Sequence, residues 1–450
     1  MIIESCLEPH ERKGLLRFLT CGGVDDGKST LIGRLLHDSE SIREDELAAI
    51  AADSAGAGGL DGNPDLSLLV DGLRAEREEG ITIDVAHRYF STAKRKFIIA
   101  DTPGHERYTR NMATGASNCD LAVILIDASR GVRTQTRRHS CIASLLGIRR
   151  IIVAVNKMDL VDFSQDVFNR IRDDYLAFGA KLAGIESAEI SFIPLSAKLG
   201  DNVVHGGANM PWHGGKPLLA TLETVELAEN RDFADFRFPV QYINRPNESF
   251  RGYCGTVAAG VARKGDEVVA LPAGNESRIK SIVTFDGELE LAPAGMAVTL
   301  VLEDEIDIAR GDLLAHPGNP PATSDRLDAT VVWMAEAALL PGARYGIKIG
   351  TRGVMGTVRA VRHKIDVSDL SECPAARLEL NEIGRVDIAL NEPAAFDSYR
   401  DNRATGGFIL IDPVSNATAG AGMIHRETDS GLRRSAFSGE KHDSGDTIQP

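Results

Sequence analysis

Short apolar runs alternate with helically spaced apolar residues through the first half of this chain. LLRFLT (15–20), RYFST (88–92), KFIIAD (96–101), LAVILID (121–127), IIVAVN (151–156) and ISFIPL (190–195) have the length and density of buried strands, and turn-forming residues follow them. Between them lie STLIGRLLH (29–37), TQTRRHSCIASLLG (134–147) and SQDVFNRIRDDYLAFG (164–179), whose apolar positions recur at helical spacing. Strands alternating with helices predict an α/β domain with a mostly parallel sheet and helices on both faces. Ligands in such sheets bind beyond the carboxyl ends of the strands.

Near Arg231 the texture changes. FRFPVQYI, GTVAAGV, EVVALP, RIKSIVTF and AVTLVL are brief strand candidates between Gly, Pro and Asp turns, which predicts a small all-β barrel. A second strand-rich block, about 325 to 425, follows PGNPPATSD, a linker-like stretch. The expected organisation is a P-loop-type α/β domain over 1–228, one β-barrel over 229–322 and another over 323–427. A polar, aperiodic tail, 428–450, is expected to be disordered. Residues 48–65, rich in Ala and Gly, suit a mobile loop.

Composition narrows the class. With 43% hydrophobic and 26% charged residues the chain is ordinary globular protein. Its net charge of −15 argues against a nucleic-acid surface, which wants clustered Lys and Arg. Six scattered cysteines include no C-x-x-C pair, so neither a disulfide framework nor a zinc site is expected. The N-terminus lacks a signal-peptide layout, and no apolar run reaches the ~20 residues that span a bilayer. A cytoplasmic chain without membrane contact is the expectation.

The candidate chemistry sits at the predicted strand ends. Gly22-Gly23-Val24-Asp25-Asp26-Gly27-Lys28-Ser29-Thr30 fits G-x-x-x-x-G-K-[ST] between a strand and a helix. Glycines let backbone N–H groups converge on phosphate oxygens, and the helix N-terminus adds positive charge. Lys28 would reach the β- and γ-phosphates and the Ser29 hydroxyl would ligate Mg²⁺. Asp25 is expected to hold Lys28 or a cation, and Asp26 to face solvent. Cys21, beside the loop, reads as a small buried hydrophobe, with a redox-sensitive thiol as the other reading.

Asp101-Thr102-Pro103-Gly104 ends KFIIAD, where a carboxylate can hold a magnesium-bound water and the Gly104 N–H can sense the γ-phosphate. Asn156-Lys157-Met158-Asp159 ends IIVAVN. Guanine offers two parallel donors, N1–H and the N2 amine, that an Asp159 carboxylate accepts together; adenine offers neither, so the site would reject it. Asn156 would brace the loop and the Lys157 stem would cover a ring face. Ser196-Ala197-Lys198, after ISFIPL, would offer the Ala197 N–H to guanine O6. Glu79-Gly80-Ile81-Thr82 lies where a switch threonine should complete the magnesium shell, so Thr82 is expected to order only with GTP. His105, next to Gly104, stands where a water-orienting group would be.

Together GGVDDGKST, GITID, DTPGHERY, NKMD and SAK resemble the translation-factor class of GTPases, the elongation factor Tu type. That resemblance implies a GTPase domain followed by two β-barrels and assigns His105 to the attacking water. LLVDGLRAEREEGITIDVAHRYFST (68–92), GGVDDGKSTLIGRLLHDS (22–39), DTPGHERYTRNMATGAS (101–117), FRGYCGTVAAGVARKGDEV (250–268) and NRATGGFILIDPVSNATAGAGMI (402–424) are more narrowly similar to one branch. That branch is the family of GTPase subunits of bacterial sulfate adenylyltransferase. Gly23 departs from it, since Ser is expected there.

The branch resemblance implies that GTP hydrolysis is coupled to formation of adenosine 5′-phosphosulfate and pyrophosphate from ATP and sulfate. A separate small, ATP pyrophosphatase-like subunit would carry the adenylyl transfer. A fused adenosine 5′-phosphosulfate kinase would need a second P-loop, and residues 420–450 contain none, so the unfused form is expected. Two alternatives share the nucleotide chemistry: a translation factor acting with aminoacyl-tRNA or the ribosome, and a GTP-dependent regulatory switch.

Overall fold

In a computed structural model the protein is described over residues 14–40, 66–70, 82, 84–180, 182, 189–226, 235–247 and 250–425. Glu79, Gly80 and Ile81, the loop 48–65 and the tail 428–450 lie outside the described residues.

The first domain is built on a six-stranded sheet in the order β2-β3-β1-β4-β5-β6. Its strands are β1 (Gly14–Cys21), β2 (Ala86–Ser91), β3 (Arg95–Asp101), β4 (Leu121–Asp127), β5 (Arg150–Asn156) and β6 (Glu189–Pro194). All neighbours run parallel except β2 against β3. The helices are α1 (Lys28–Asp38), α2 (Thr109–Ser117), α3 (Thr134–Leu145), α4 (Gln165–Gly179) and α5 (Leu218–Thr224).

Strand β4 shows why the sheet is covered on both sides. Every residue of LAVILID is buried. Alternate side chains point to opposite faces: Leu121, Val123 and Leu125 join the cluster with α1 and α5, whereas Ala122, Ile124 and Ile126 join the one with α2, α3 and α4. A continuous apolar run is what a strand with two buried faces requires. Chain order reverses direction at β1, which lies between β3 and β4. The loop leaving β1 therefore opens into the crevice at the switch point of the sheet.

Two closed antiparallel barrels follow. In the first, strands Arg237–Asn247, Phe250–Thr256, Ala297–Leu302, Asn275–Thr284, Glu267–Leu271 and Leu313–Ala315 pair in turn around the barrel and return to the first. In the second the sequence is Ala322–Trp333, Ile383–Phe396, Arg352–Ile365, Arg344–Ile349, Gly407–Ile411 and Thr418–Ile424. PGNPPATSD is only partly linker: its last residues already belong to strand Ala322–Trp333, because Ala322, Thr323 and Ser324 pair with Phe396, Ala395 and Ala394.

The second barrel packs directly on the first domain. Val332, Met334, Ile383 and Met423 complete the same apolar cluster as Met112, Ala143 and Leu146. Arg110 donates to the Met334 carbonyl (2.7 Å), Arg137 to that of Ser368 (2.6 Å) and the Tyr399 hydroxyl to that of Leu146 (3.2 Å). The barrels are tied to each other by Arg237, whose guanidinium meets Asp397 at 2.9 and 3.0 Å while Thr405 donates to the same carboxylate. Arg352 meets Asp312 at 3.1 Å across the same interface.

Candidate functional site

The loop Gly22–Gly27 turns between β1 and α1 with Gly22 extended and Gly27 at φ +90, the left-handed region that glycine enters without cost. A Cβ on Gly27 would also overlap the Asn156 amide nitrogen. Lys28, the first residue of α1, is buried; its ammonium donates back to the carbonyls of Gly23 (2.8 Å) and Gly22 (3.4 Å). Burial pushes the Lys28 pKa down, while Asp101 and Asp26 work to raise it. The phosphate loop is thus organised around one buried cation with two carboxylates near it.

Of the two loop aspartates, Asp26 departs from the expectation that it faces solvent, whereas Asp25 meets a cation, Arg130 rather than Lys28. Asp25 sits at φ +68, is exposed, and faces Arg130 at 3.8 Å. Asp26 is 2% exposed, and its carboxylate accepts the Gly23 N–H. The left-handed turn at Asp25 throws that side chain outward and folds the next one back into the loop. Burial raises the Asp26 carboxyl above its usual range, against the Lys28 charge and the Gly23 hydrogen bond. Gly23 fits this arrangement, since a Cβ there would lie 3.1 Å from the Asp26 Oδ2. Cys21 is fully buried, and burial pushes its thiol up to about 12, which makes it an inert hydrophobe.

At the end of β3, Asp101 is fully buried and accepts the Thr20 hydroxyl at 3.2 Å. Thr102 donates to the Thr20 carbonyl (2.7 Å), so the D-x-x-G turn is fastened to β1. Gly104 lies against the phosphate loop: a Cβ would overlap the Lys28 Nζ and come within 2.8 Å of the Gly22 carbonyl. His105 has extended backbone and caps a single 3₁₀ turn, Glu106–Tyr108. Its Nδ1 accepts the Arg107 N–H at 3.2 Å, which places the proton of a neutral ring on Nε2. Ser29, in the first turn of α1, is half-buried, as is Thr82. Among the described residues no hydrogen bond joins Thr82 to Ser29 or Asp101, or His105 to the phosphate loop.

The base-side motifs converge on one another. Asn156, at the end of β5, donates to the Asp26 carbonyl (2.8 Å) and accepts the Ala197 N–H (2.9 Å). The Ala197 N–H, expected to serve guanine O6, is engaged by the Asn156 Oδ1, because β6 runs parallel beside β5 and brings the two strand ends together. Ser196 donates to the Asp159 Oδ1 at 2.6 Å, which orients the carboxylate while its second oxygen keeps accepting capacity. Lys157 is left-handed at φ +61, and its stem passes the Gly27 position.

Two residues of this site escaped the sequence analysis. Asp127, the last residue of β4, meets the Lys157 ammonium at 2.9 Å. Burial opposes its charge, but hydrogen bonds from Ser129 and Lys157 outweigh that and hold its carboxyl below the usual range. A carboxylate ending the run LAVILID was the available signal. Arg34 on α1 donates to the carbonyls of Ala197 (3.1 Å) and Lys198 (2.6 Å), and Asp38 one turn on pairs with it at 3.4 Å. Nothing in the local sequence around Arg34 announced that contact.

Ser29 and Asp101 supply hard oxygen donors beside the phosphate loop, a donor set that suits Mg²⁺. Among the described residues no helix is long and apolar enough to cross a membrane.

The chain is similar to known proteins over most of its length. The family model described as elongation factor Tu GTP binding domain matches residues 13–230, and GTP-eEF1A C-terminal domain-like matches 326–425. The chain is 60% identical to "Sulfate adenylyltransferase subunit 1" of Chromobacterium violaceum over 424 residues, covering 94% of this chain and 88% of that one. With the protein of the same name from Teredinibacter turnerae it shares 58% over 421 residues, 94% of this chain and 89% of the relative. With "Bifunctional enzyme CysN/CysC" of Rhodopirellula baltica it shares 55% over 450 residues, 99% of this chain but 69% of that one.

Proposed function

The chain belongs to the sulfate adenylyltransferase subunit 1 family, and from that premise we propose that it binds and hydrolyses GTP to drive sulfate activation by a partner subunit. The observation that carries the nucleotide chemistry is the joining of three strand ends: Asn156 links the phosphate loop at Asp26 to the base-side loop at Ala197.

In this mechanism the loop amides and Lys28 neutralise charge on the transferring phosphoryl group. Gly104, with no side chain between it and Lys28, lets the backbone approach the γ-phosphate. His105 orients water for in-line attack: a new P–O bond forms, the bond to the β-phosphate oxygen breaks, and GDP, phosphate and a proton leave. Ser29, Asp101 and Thr82 are the residues that would hold Mg²⁺, which when bound supplies further neutralisation of the phosphate oxygens. Asp159 reads the N1–H and N2 amine of guanine, and Ser196 fixes its orientation. Guanine O6 shares or displaces the Asn156 contact at the Ala197 N–H.

The partner is a small ATP pyrophosphatase-like subunit that joins ATP and sulfate to give adenosine 5′-phosphosulfate and pyrophosphate. That step is uphill, and GTP hydrolysis offsets it: hydrolysis releases Thr82 from the nucleotide, and the barrels then move against the GTPase domain. The test is GTP turnover by the purified chain, alone and with that subunit, with and without ATP and sulfate. Stimulation only in the complete mixture, with adenosine 5′-phosphosulfate formed, supports the reading. Turnover indifferent to the partner but raised by ribosomes moves the chain to translation.

A further inference from the structure

We propose that Asn381, on a turn of the second barrel, is a positioning residue for His105. The inference rests on the reading of His105 given above, and its physical basis is one long-range hydrogen bond. The Asn381 amide donates to the Glu106 carbonyl at 2.9 Å, across 275 residues of chain.

That carbonyl belongs to the Glu106–Arg107 peptide, the same peptide group whose N–H donates to the His105 Nδ1. His105 caps the 3₁₀ turn Glu106–Tyr108, and its ring is held through Nδ1 by the Arg107 N–H of the same turn. The direction of the imidazole therefore follows the direction of this turn. Within it the Glu106 carbonyl also accepts the Thr109 hydroxyl at 2.7 Å, and the Glu106 carboxylate meets Arg138 of α3 at 3.3 Å. The turn is thus gripped from the first domain through a side chain and from the barrel through the backbone.

The barrel end of this contact is stiff. Asn381 is left-handed at φ +66, and its N–H donates to the Trp333 carbonyl at 3.0 Å. Trp333 in turn accepts structure from the same turn, its N–H donating to the Glu382 carbonyl at 2.9 Å. The Trp333 ring is buried in the barrel core, with Nε1 bonded to the Ala337 carbonyl at 2.8 Å. The next residue, Met334, receives Arg110 from the start of α2. A rigid barrel edge therefore holds the segment that carries His105, and a shift of that barrel changes where the imidazole points.

The experiment compares Asn381→Gly and Asn381→Asp, each alone and combined with His105→Ala, in the full chain with its partner subunit, GTP, ATP and sulfate. Glycine keeps the left-handed backbone at no steric cost and removes the donor. Aspartate keeps the shape but turns an acceptor toward the Glu106 carbonyl, and it carries the test should the glycine variant melt early. Each is expected to lower kcat for GTP about five- to tenfold, because an imidazole on a loosened turn aligns the attacking water less well, with KM for GTP and affinity for GDP unchanged. In the His105→Ala background neither should lower kcat further, because the two residues act as one unit.

Wild-type kcat in both variants overturns the inference. So does the same fold-loss with and without His105, or a loss confined to KM, since either marks a role independent of the imidazole. If His105→Ala alone leaves kcat unchanged, the reading of the site falls and this inference with it. A slow His105→Ala beside fully active Asn381 variants overturns the inference alone.

Discussion

The side-chain amide of Asn156 donates to the main-chain carbonyl of Asp26 at 2.8 Å, so the segment that follows β5 is fastened to the phosphate loop that follows β1. The residue after Asp26 is Gly27, at φ +90, where a side chain would overlap that same amide. Base and phosphate recognition are therefore one mechanical unit.

Gly27→Ala tests this unit. The left-handed backbone alone costs an alanine about 1–2 kcal/mol, before the overlap with Asn156 is counted. Affinity for GDP and GTP should fall together by roughly tenfold or more, as read by calorimetry. Loss of the triphosphate alone would show that the two loops act independently.

Asp159→Asn tests the base. An amide oriented by Ser196 turns a donor toward the guanine amine, so the variant should bind GTP at least roughly a hundredfold more weakly. Competition binding of GTP against ATP and inosine triphosphate measures the change. An unaltered preference for guanine would remove Asp159 from base recognition.

His105→Ala tests the water. Single-turnover hydrolysis should slow by about a hundredfold, whereas GTP affinity stays at the wild-type value because the ring makes no hydrogen bond to the phosphate loop among the described residues. Equal rates in variant and wild type would reassign His105 to capping its turn.

His139 predicts a pH dependence of stability. It is fully buried in α3, where its Nε2 lies 2.8 Å from the Gln135 amide nitrogen and its Nδ1 has no hydrogen-bond partner among the described residues. Burial, with the charges of Lys28 and Arg138, lowers its pKa from 6.5 to about 3. A histidine depressed in the folded state contributes stability that is present above the unfolded pKa and lost as pH falls toward the folded one. Between those values the loss approaches ~1.4 kcal/mol per pH unit from this group. His139→Gln should flatten the fall of Tm from pH 6.5 toward pH 4, measured by calorimetry. A slope equal to wild type would mean that His139 titrates alike in the folded and unfolded chain, its ring reached by water in the folded state.

Much of this protein is legible in one dimension because its chemistry is local. Each motif follows an apolar run by a fixed number of residues, and a parallel sheet brings the carboxyl ends of those runs together whatever lies between them. The phosphate loop, Asp101, Asn156, Asp159 and Ser196 could thus be assigned to one crevice from spacing, and the change in hydrophobic texture near Arg231 marked two barrels. The family resemblance carried His105 and the sulfate-activating role, which spacing could not supply.

Three matters were decided only by tertiary structure. Asp26 is buried rather than solvent-facing, because the left-handed residue before it folds its carboxylate back into the loop, and no composition rule encodes that φ. The Ala197 N–H went to Asn156, because two strand ends lie side by side in the sheet. The third is the packing of the second barrel on α2 and α3, which sets Asn381 beside Glu106. Periodicity tells a residue which face of its own element it occupies. It holds no information about which distant surface will cover that face, since the gain from burying apolar area is nondirectional and depends on the shape of the whole assembled chain.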